Sequence, residues 1–91
     1  MTPLRDVFIS HASDDAALAI RLASFLESSG VSCFIAPRDI PAGEVWDEAV
    51  VEGIDGSTGM VLILTRAAGQ SPFVKNEINR AFSKQKPIFT F

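Results

Sequence analysis

The residues best suited to chemistry in this chain lie in Ser71-Pro72-Phe73-Val74-Lys75-Asn76-Glu77. Phe73 and Glu77 stand four apart, a spacing that makes them neighbours on one helix face. A carboxylate held beside an aromatic ring near a cleft can stabilise positive charge developing on a ribose. The same residues allow a plainer reading, in which Glu77 pairs with Arg80 at i+3 on a solvated face. Periodicity alone favours that pairing, because such exposed pairs are common and worth little. His11 is the sole histidine. A lone loop histidine more often packs or hydrogen-bonds than catalyses, and without histidine or cysteine partners it does not suggest a metal. Cys33 falls inside an apolar run and reads as an inert buried hydrophobe. Trp46 reads first as an anchor of its helix to the core and second as a cover over a ligand.

Several chemistries are disfavoured by what stands at the strand ends. Ser10-His11-Ala12-Ser13 follows the first apolar run, where a dinucleotide site or an NTPase would need a glycine-rich loop. A phosphotransfer receiver needs an acceptor aspartate after the third strand, and Leu64-Thr65 stands there. Asp14-Asp15 is accounted for as the acidic first turn of a helix, with Ser13 as its cap.

The elements that must position these residues alternate. Asp6 to Ser10 reads as a short buried strand, and Leu18, Leu22, Phe25 and Leu26 then recur as one helical stripe that Gly30 terminates. Val31 to Ile35 reads as a second strand. Residues 36–43 hold two prolines and a glycine and read as a long, partly stiffened loop. A helix over Glu44 to Asp55 follows, weakened by about 1 kcal/mol by Gly53 in its interior. Met60 to Leu64 is apolar on both faces and therefore a central strand. Ser71 as cap and Pro72 at the first helical position open another helix, with Val74, Ile78, Ala81 and Phe82 as its buried stripe. Pro87 to Phe91 begins a fourth strand. The order β-α-β-α-β-α-β implies an α/β fold: a parallel sheet with right-handed crossovers and helices on both faces. Ligands bind such sheets beyond the carboxyl ends of the strands, here residues 10–12, 36–43 and 65–71.

Composition sets the outer bounds. The 91 residues, 47% hydrophobic and 21% charged, suit one small globular domain. A net charge of −3 argues against wholesale binding to a nucleic-acid backbone. One cysteine excludes a disulfide framework within the chain. No apolar run nears the roughly 20 residues of a membrane span, and no basic-then-apolar leader opens the sequence, so the expected setting is cytoplasmic. The charge is uneven: residues 1–65 hold three basic and ten acidic side chains, whereas Arg66 onward holds five basic residues and only Glu77 as an acid.

Taken together, these segments resemble the Toll/interleukin-1 receptor (TIR) domain family, especially its bacterial, NAD+-cleaving branch. The resemblance runs through Asp6-Val7-Phe8-Ile9-Ser10-His11, Cys33-Phe34-Ile35, Arg38-Asp39-Ile40-Pro41-Ala42-Gly43, Trp46-Asp47-Glu48-Ala49, Met60 to Leu64, Ser71-Pro72-Phe73-Val74 with Glu77, and Lys86-Pro87-Ile88. It implies a flavodoxin-like parallel sheet and a single TIR domain over residues 1–91, lacking the family's last strand and helix and belonging to a longer multidomain protein. It implies cleavage of NAD+ at the nicotinamide–ribose bond, giving nicotinamide and ADP-ribose or a cyclic form. NAD+ enters as the substrate, with no cofactor and no metal. Glu77 matches the family's catalytic glutamate. Phe73 stands where the family usually has tryptophan, which keeps an aromatic face but loses the indole N–H. Ser10, His11, Arg38 and Ile40 match positions near the nucleotide. Loop 36–43 matches the loop that gates the site and contacts a neighbouring subunit. The implied setting is antiphage defence or signalling, with activation by self-association, a fused or partner sensor domain, and no nucleic acid bound by this domain itself. The alternative within the family is a non-catalytic TIR–TIR adaptor module. If the charge asymmetry drives self-association, assembly followed by sedimentation weakens as salt is raised; salt-insensitive assembly refutes that role.

Overall fold

A computed structural model describes residues 5–91. Four parallel strands form one sheet: β1 (Arg5–Ser10), β2 (Cys33–Ile35), β3 (Ser57–Leu62) and β4 (Ile88–Thr90), in the order β2-β1-β3-β4. That order is the flavodoxin-like one, with β1 and β3 interior as their apolar sequences require. Register places Phe8 beside Phe34 of β2 and beside Met60 of β3, and Ser10 beside Leu62. The sheet carries α1 (Ala16–Ser28) on one face and α2 (Trp46–Asp55) with α4 (Pro72–Ser83) on the other; a short α3 (Arg66–Gly69) precedes α4.

Strand alternation sorts the core into two layers. Phe8, Phe34 and Met60 pack with Val50 and Ile54 of α2 and Ala81 of α4. Ile9, Cys33, Ile35 and Ile63 pack on the other face with Ala19 and Ala23 of α1. The stripe expected on α1 is therefore displaced: Leu22 and Leu26 are partly buried, but Leu18 is exposed and Phe25 is 66% exposed. Small Ala19 and Ala23 let the helix sit close to the sheet, and leucine-based periodicity passes over them. On α4, Val74 and Ala81 are buried as expected, whereas Phe82 is 79% exposed.

Boundaries shift where polar residues enter a ladder. β3 starts at Ser57, three residues before the expected Met60, because Ser57 and Gly59 pair with Arg5 and Val7. Leu64, expected within the strand, lies beyond it and is exposed. α2 begins at Trp46. A 3₁₀ turn over Ser13–Asp15 precedes α1, and no side-chain cap closes either N-terminus; Asp15 instead accepts a hydrogen bond from the Thr65 hydroxyl. α3 went unanticipated, being too short to show periodicity; Thr65 caps it at the Ala68 N–H. The Ser71 cap and the Pro72 start of α4 are present as expected, Ser71 Oγ accepting from the Val74 N–H. Gly30, in the left-handed region at φ 89°, follows α1 as the sequence demands.

Gly53 is explained by packing. A Cβ there would lie 2.8 Å from the ring of Phe34, which is buried and stacked on Phe8 at 5.3 Å between centroids. Alanine would gain about 1 kcal/mol of helix propensity and meet an overpacking cost of about 1–3 kcal/mol. Gly53→Ala should therefore lower stability, read as an earlier urea midpoint; a later midpoint would show that the ring yields freely.

Candidate functional site

A cleft of about 500 Å³ opens beyond the carboxyl ends of the strands, where the topology calls for it. Ile9 of β1 and His11 just beyond it, Ser13 of the 3₁₀ turn and Ala16 at the start of α1, Ala36 and Pro37 after β2, Trp46 and Asp47 of α2, and Ser71, Phe73 and Glu77 at and within α4 line it. Phe73 is 68% and Trp46 is 47% exposed, so both present aromatic surface at the cleft. Trp46 packs in none of the core clusters, so its expected role as an anchor to the core is not met; it stands at the cleft instead.

Glu77 is half-buried, and its Oε1 accepts a 2.7 Å hydrogen bond from the Ser10 hydroxyl. The expected i+3 partner is engaged elsewhere: Arg80 Nε donates to Asp55 Oδ1 at 2.9 Å, tying α4 to α2. The periodicity-favoured reading of Glu77 as one member of a solvated ion pair is thus overturned. Burial pushes the Glu77 carboxyl above its ordinary value; the Ser10 hydrogen bond and the nearby His11 ring oppose that rise without cancelling it. A carboxylate poised in this way marks a functional-site candidate. His11 Nδ1 lies 2.8 Å from the Ala12 carbonyl and Nε2 3.1 Å from the Ala36 carbonyl, so the ring ties the end of β1 to the loop after β2.

The remaining expected site residues divide. Ser10 is fully buried and reaches the cleft only through Glu77. Arg38 points elsewhere: its guanidinium donates to Glu27 at 2.9 and 2.8 Å, to Asp39 and to the Cys33 carbonyl. Those hydrogen bonds to Glu27 and Asp39 raise the guanidinium further above its usual range. Asp39 in turn accepts from the Ile35 N–H. Burial raises the Asp39 carboxyl, but the bonds from Arg38 and Ile35, with the charges of Arg38 and Arg5, outweigh burial and hold it below its usual value. The Arg38–Asp39 pair thus fastens loop 36–43 to main-chain groups of β2, and Ile40 packs against the Phe8–Phe34 core. Neither Arg38 nor Ile40 lines the cleft. Asp47 does, and sequence reasoning missed it as a site residue; its place one position after Trp46 at the start of α2 was the available signal. Cys33 is buried as expected, and desolvation pushes its thiol up to about 11, which leaves it unreactive. Among the described residues, no group of three or more His, Cys, Asp and Glu side chains could hold a metal ion. No helix among them is long and apolar enough to cross a membrane.

The fold and cleft define an α/β domain of flavodoxin-like strand order with its candidate site at the strand ends. A family model described as TIR domain matches residues 7–90, and the chain belongs to the TIR domain family. Among solved structures, the TIR domain of a Toll-related receptor from Hydra magnipapillata aligns with a TM-score of 0.86 at 22% identity, over 94% of this chain and 68% of that one. A metazoan TIR-STING receptor from C. gigas aligns with a TM-score of 0.82 at 27% identity, over 98% of this chain and 31% of that one. A curated relative, the stimulator of interferon genes protein of Magallana gigas, is 35% identical over 72 residues; that match covers 78% of this chain and 17% of the relative's length.

The raised Glu77 carboxyl has a consequence for stability. Between the ordinary value of 4.5 and its raised native value, the folded state binds more protons than the unfolded state, so stability falls as pH rises through that window. Glu77→Gln keeps an oxygen for Ser10 and removes the titration. It should match wild type in thermal unfolding under acidic conditions and exceed it at neutral pH; a gap of opposite sign would mean that ionised Glu77 is stabilised by the fold.

Proposed function

We propose that this TIR domain cleaves NAD+ at the nicotinamide–ribose bond, with Glu77 as its catalytic residue. The observation that carries the reading is Glu77 itself: a half-buried carboxylate on the wall of an aromatic-flanked cleft, with one oxygen already hydrogen-bonded and its proton affinity raised by burial. In the proposed reaction the C1′–N bond breaks and its electron pair leaves with nicotinamide. The oxocarbenium-like ribose is then captured by water, giving ADP-ribose and a proton, or by the substrate's own adenine, giving a cyclic product. The Glu77 carboxylate stabilises the positive charge as it develops, and the apolar wall strengthens that interaction by excluding water. Phe73 and Trp46 supply flat surfaces for stacking of the substrate's rings.

Placement in the bacterial, NAD+-cleaving branch rests on the motifs that carry the resemblance, whereas the C. gigas and Hydra relatives are metazoan. The likeness to a TIR-STING receptor, solved also in complex with 2′,3′-cGAMP, supports a fused sensor region that controls self-association of the TIR domain. Innate-immune or antiphage signalling in the cytoplasm is the setting this reading implies.

The alternative is a non-catalytic TIR–TIR interaction module. One observation favours it: Arg38 and Ile40 are committed to the fold, while Val45 and Trp46 at the end of the loop are 59% and 47% exposed and free to form contacts.

NAD+ turnover by the full-length, activated protein separates the two readings. Glu77→Ala should reduce turnover by about 100-fold or more. Because the reaction needs the ionised carboxylate, turnover should fall as pH drops through the raised Glu77 value, with the midpoint of the acid limb above 4.5. Intact NAD+ after incubation with activated wild type, or equal turnover by Glu77→Ala, would leave the interaction module as the function.

A further inference from the structure

Ser10 is the last residue of β1 and a fully buried polar side chain in an otherwise apolar stretch, Val7-Phe8-Ile9 before it and Ala12 close after. Its position is set from both sides. β1 pairs with β2 up to Ile9↔Ile35 and with β3 up to Ser10↔Leu62, and the Ser10 carbonyl accepts from the Ile63 N–H at 3.0 Å. The strand therefore cannot swing, and the Ser10 Cβ is a fixed post beneath α4. Its hydroxyl has one proton to donate, and that proton goes to Glu77 Oε1 at 2.7 Å.

The other end of the bond is held equally well. α4 is locked in rotation by buried Val74 and Ala81, with Ile78 packed both against the Phe8–Phe34 cluster and against a smaller cluster of Ala12, Leu62, Ala68 and Val74. Glu77 carries no second hydrogen bond among the described residues, and none of their fully buried side-chain oxygens lacks a partner, so Oε2 is not fully buried. Glu77 lines the cleft whereas Ser10 does not. A group with no exposed surface makes no direct contact in the cleft, unlike the place near the nucleotide that the family resemblance implied for Ser10.

We propose that Ser10 is a positioning residue: its buried hydroxyl pins Glu77 Oε1 and so aims Oε2 at the bond that breaks in the cleft. This role rests on the proposed NAD+ cleavage for its catalytic consequence, but not for the pinning itself. The hydroxyl stabilises the ionised carboxylate without neutralising it and fixes one oxygen, leaving the second to face developing positive charge. Loss of such orientation costs rate in the chemical step and leaves ground-state affinity nearly untouched.

The test has two arms that fail independently. In the intact protein labelled with ¹³C, the Glu77 carboxyl is titrated by NMR in wild type and in Ser10→Ala. The expected result is a higher midpoint in Ser10→Ala, since a hydrogen bond favouring the charged form has been removed. An unchanged or lower midpoint overturns the pinning whatever the protein catalyses. If Ser10→Ala does not fold, the wild type decides: the Ser10 ¹³Cβ signal should titrate with the same midpoint as the Glu77 carboxyl, and a Ser10 signal that ignores that titration overturns it. In the second arm, NAD+ turnover by Ser10→Ala should lose on the order of 10- to 100-fold in kcat with KM little changed, and Ser10→Thr, which keeps the hydroxyl, should recover much of the loss. A raised KM with kcat intact would make Ser10 a substrate contact and overturn the positioning role. An inactive wild type with the expected titration would refute NAD+ cleavage while leaving the pinning of Glu77 in place.

Discussion

A carboxylate half-sunk in an apolar wall must be held by something that cannot move, and in this fold that support is the end of β1. The 2.7 Å bond from Ser10 to Glu77 spans 67 positions of chain and joins an interior strand to the helix that borders the cleft. Its geometry depends on the two-sided pairing of β1 and on the rotation of α4 set by Val74 and Ala81. Burial alone would favour the protonated acid; a hydroxyl donor and the nearby His11 ring oppose that tendency. The balance leaves the carboxyl raised above its usual range, but less than burial without the Ser10 donor would raise it.

The loop after β2 is governed by a different economy of polar groups. Arg38 and Asp39 could have faced a ligand, but the main chain of β2 and the carboxylate of Glu27 take their hydrogen-bonding capacity. The loop begins pinned to its own strand at Asp39 and to the core through Ile40, and only then runs past Gly43 to exposed Val45 and Trp46. The charge inventory of the cleft follows: Asp47 and Glu77 on the walls, His11 at the strand end, and, among the described residues, no lysine or arginine lining it. An adjoining pocket that shares Trp46, Asp47, Phe73 and Glu77 with the cleft is lined also by Arg80, whose guanidinium is bonded to Asp55.

Much of the scaffold was legible because it rests on local signals. The alternation of apolar runs with helical stripes, Gly30 after α1, and Ser71-Pro72 at the start of α4 are properties of neighbouring residues, and each is found where the pattern puts it. The misreadings share another origin. Leu18, Phe25 and Phe82 are large and periodic yet exposed, whereas Ala19 and Ala23 are small and fully buried. Which side of a helix approaches the sheet depends on how closely the backbones can come together, and hydrophobic size says nothing about that. The same applies to Gly53, whose cost to the helix is plain in sequence but whose purpose, room for the Phe34 ring, exists only across a helix–sheet interface.

By itself the sequence determined the α/β alternation, the end of the sheet at which a site must lie, and the pairing of Phe73 with Glu77 on one helix, because each follows from the spacing of nearby residues. It also carried enough ordered motifs to point to the TIR family. Only the tertiary structure decided what Glu77 touches. Periodicity offered Arg80, three residues away, but α2 brought Asp55 to Arg80 and β1 brought Ser10 to Glu77. Local spacing can rank the partners available along one helix. The partner actually taken depends on which buried polar group would otherwise go unsatisfied, and that is settled only when the strand and the helix are packed together.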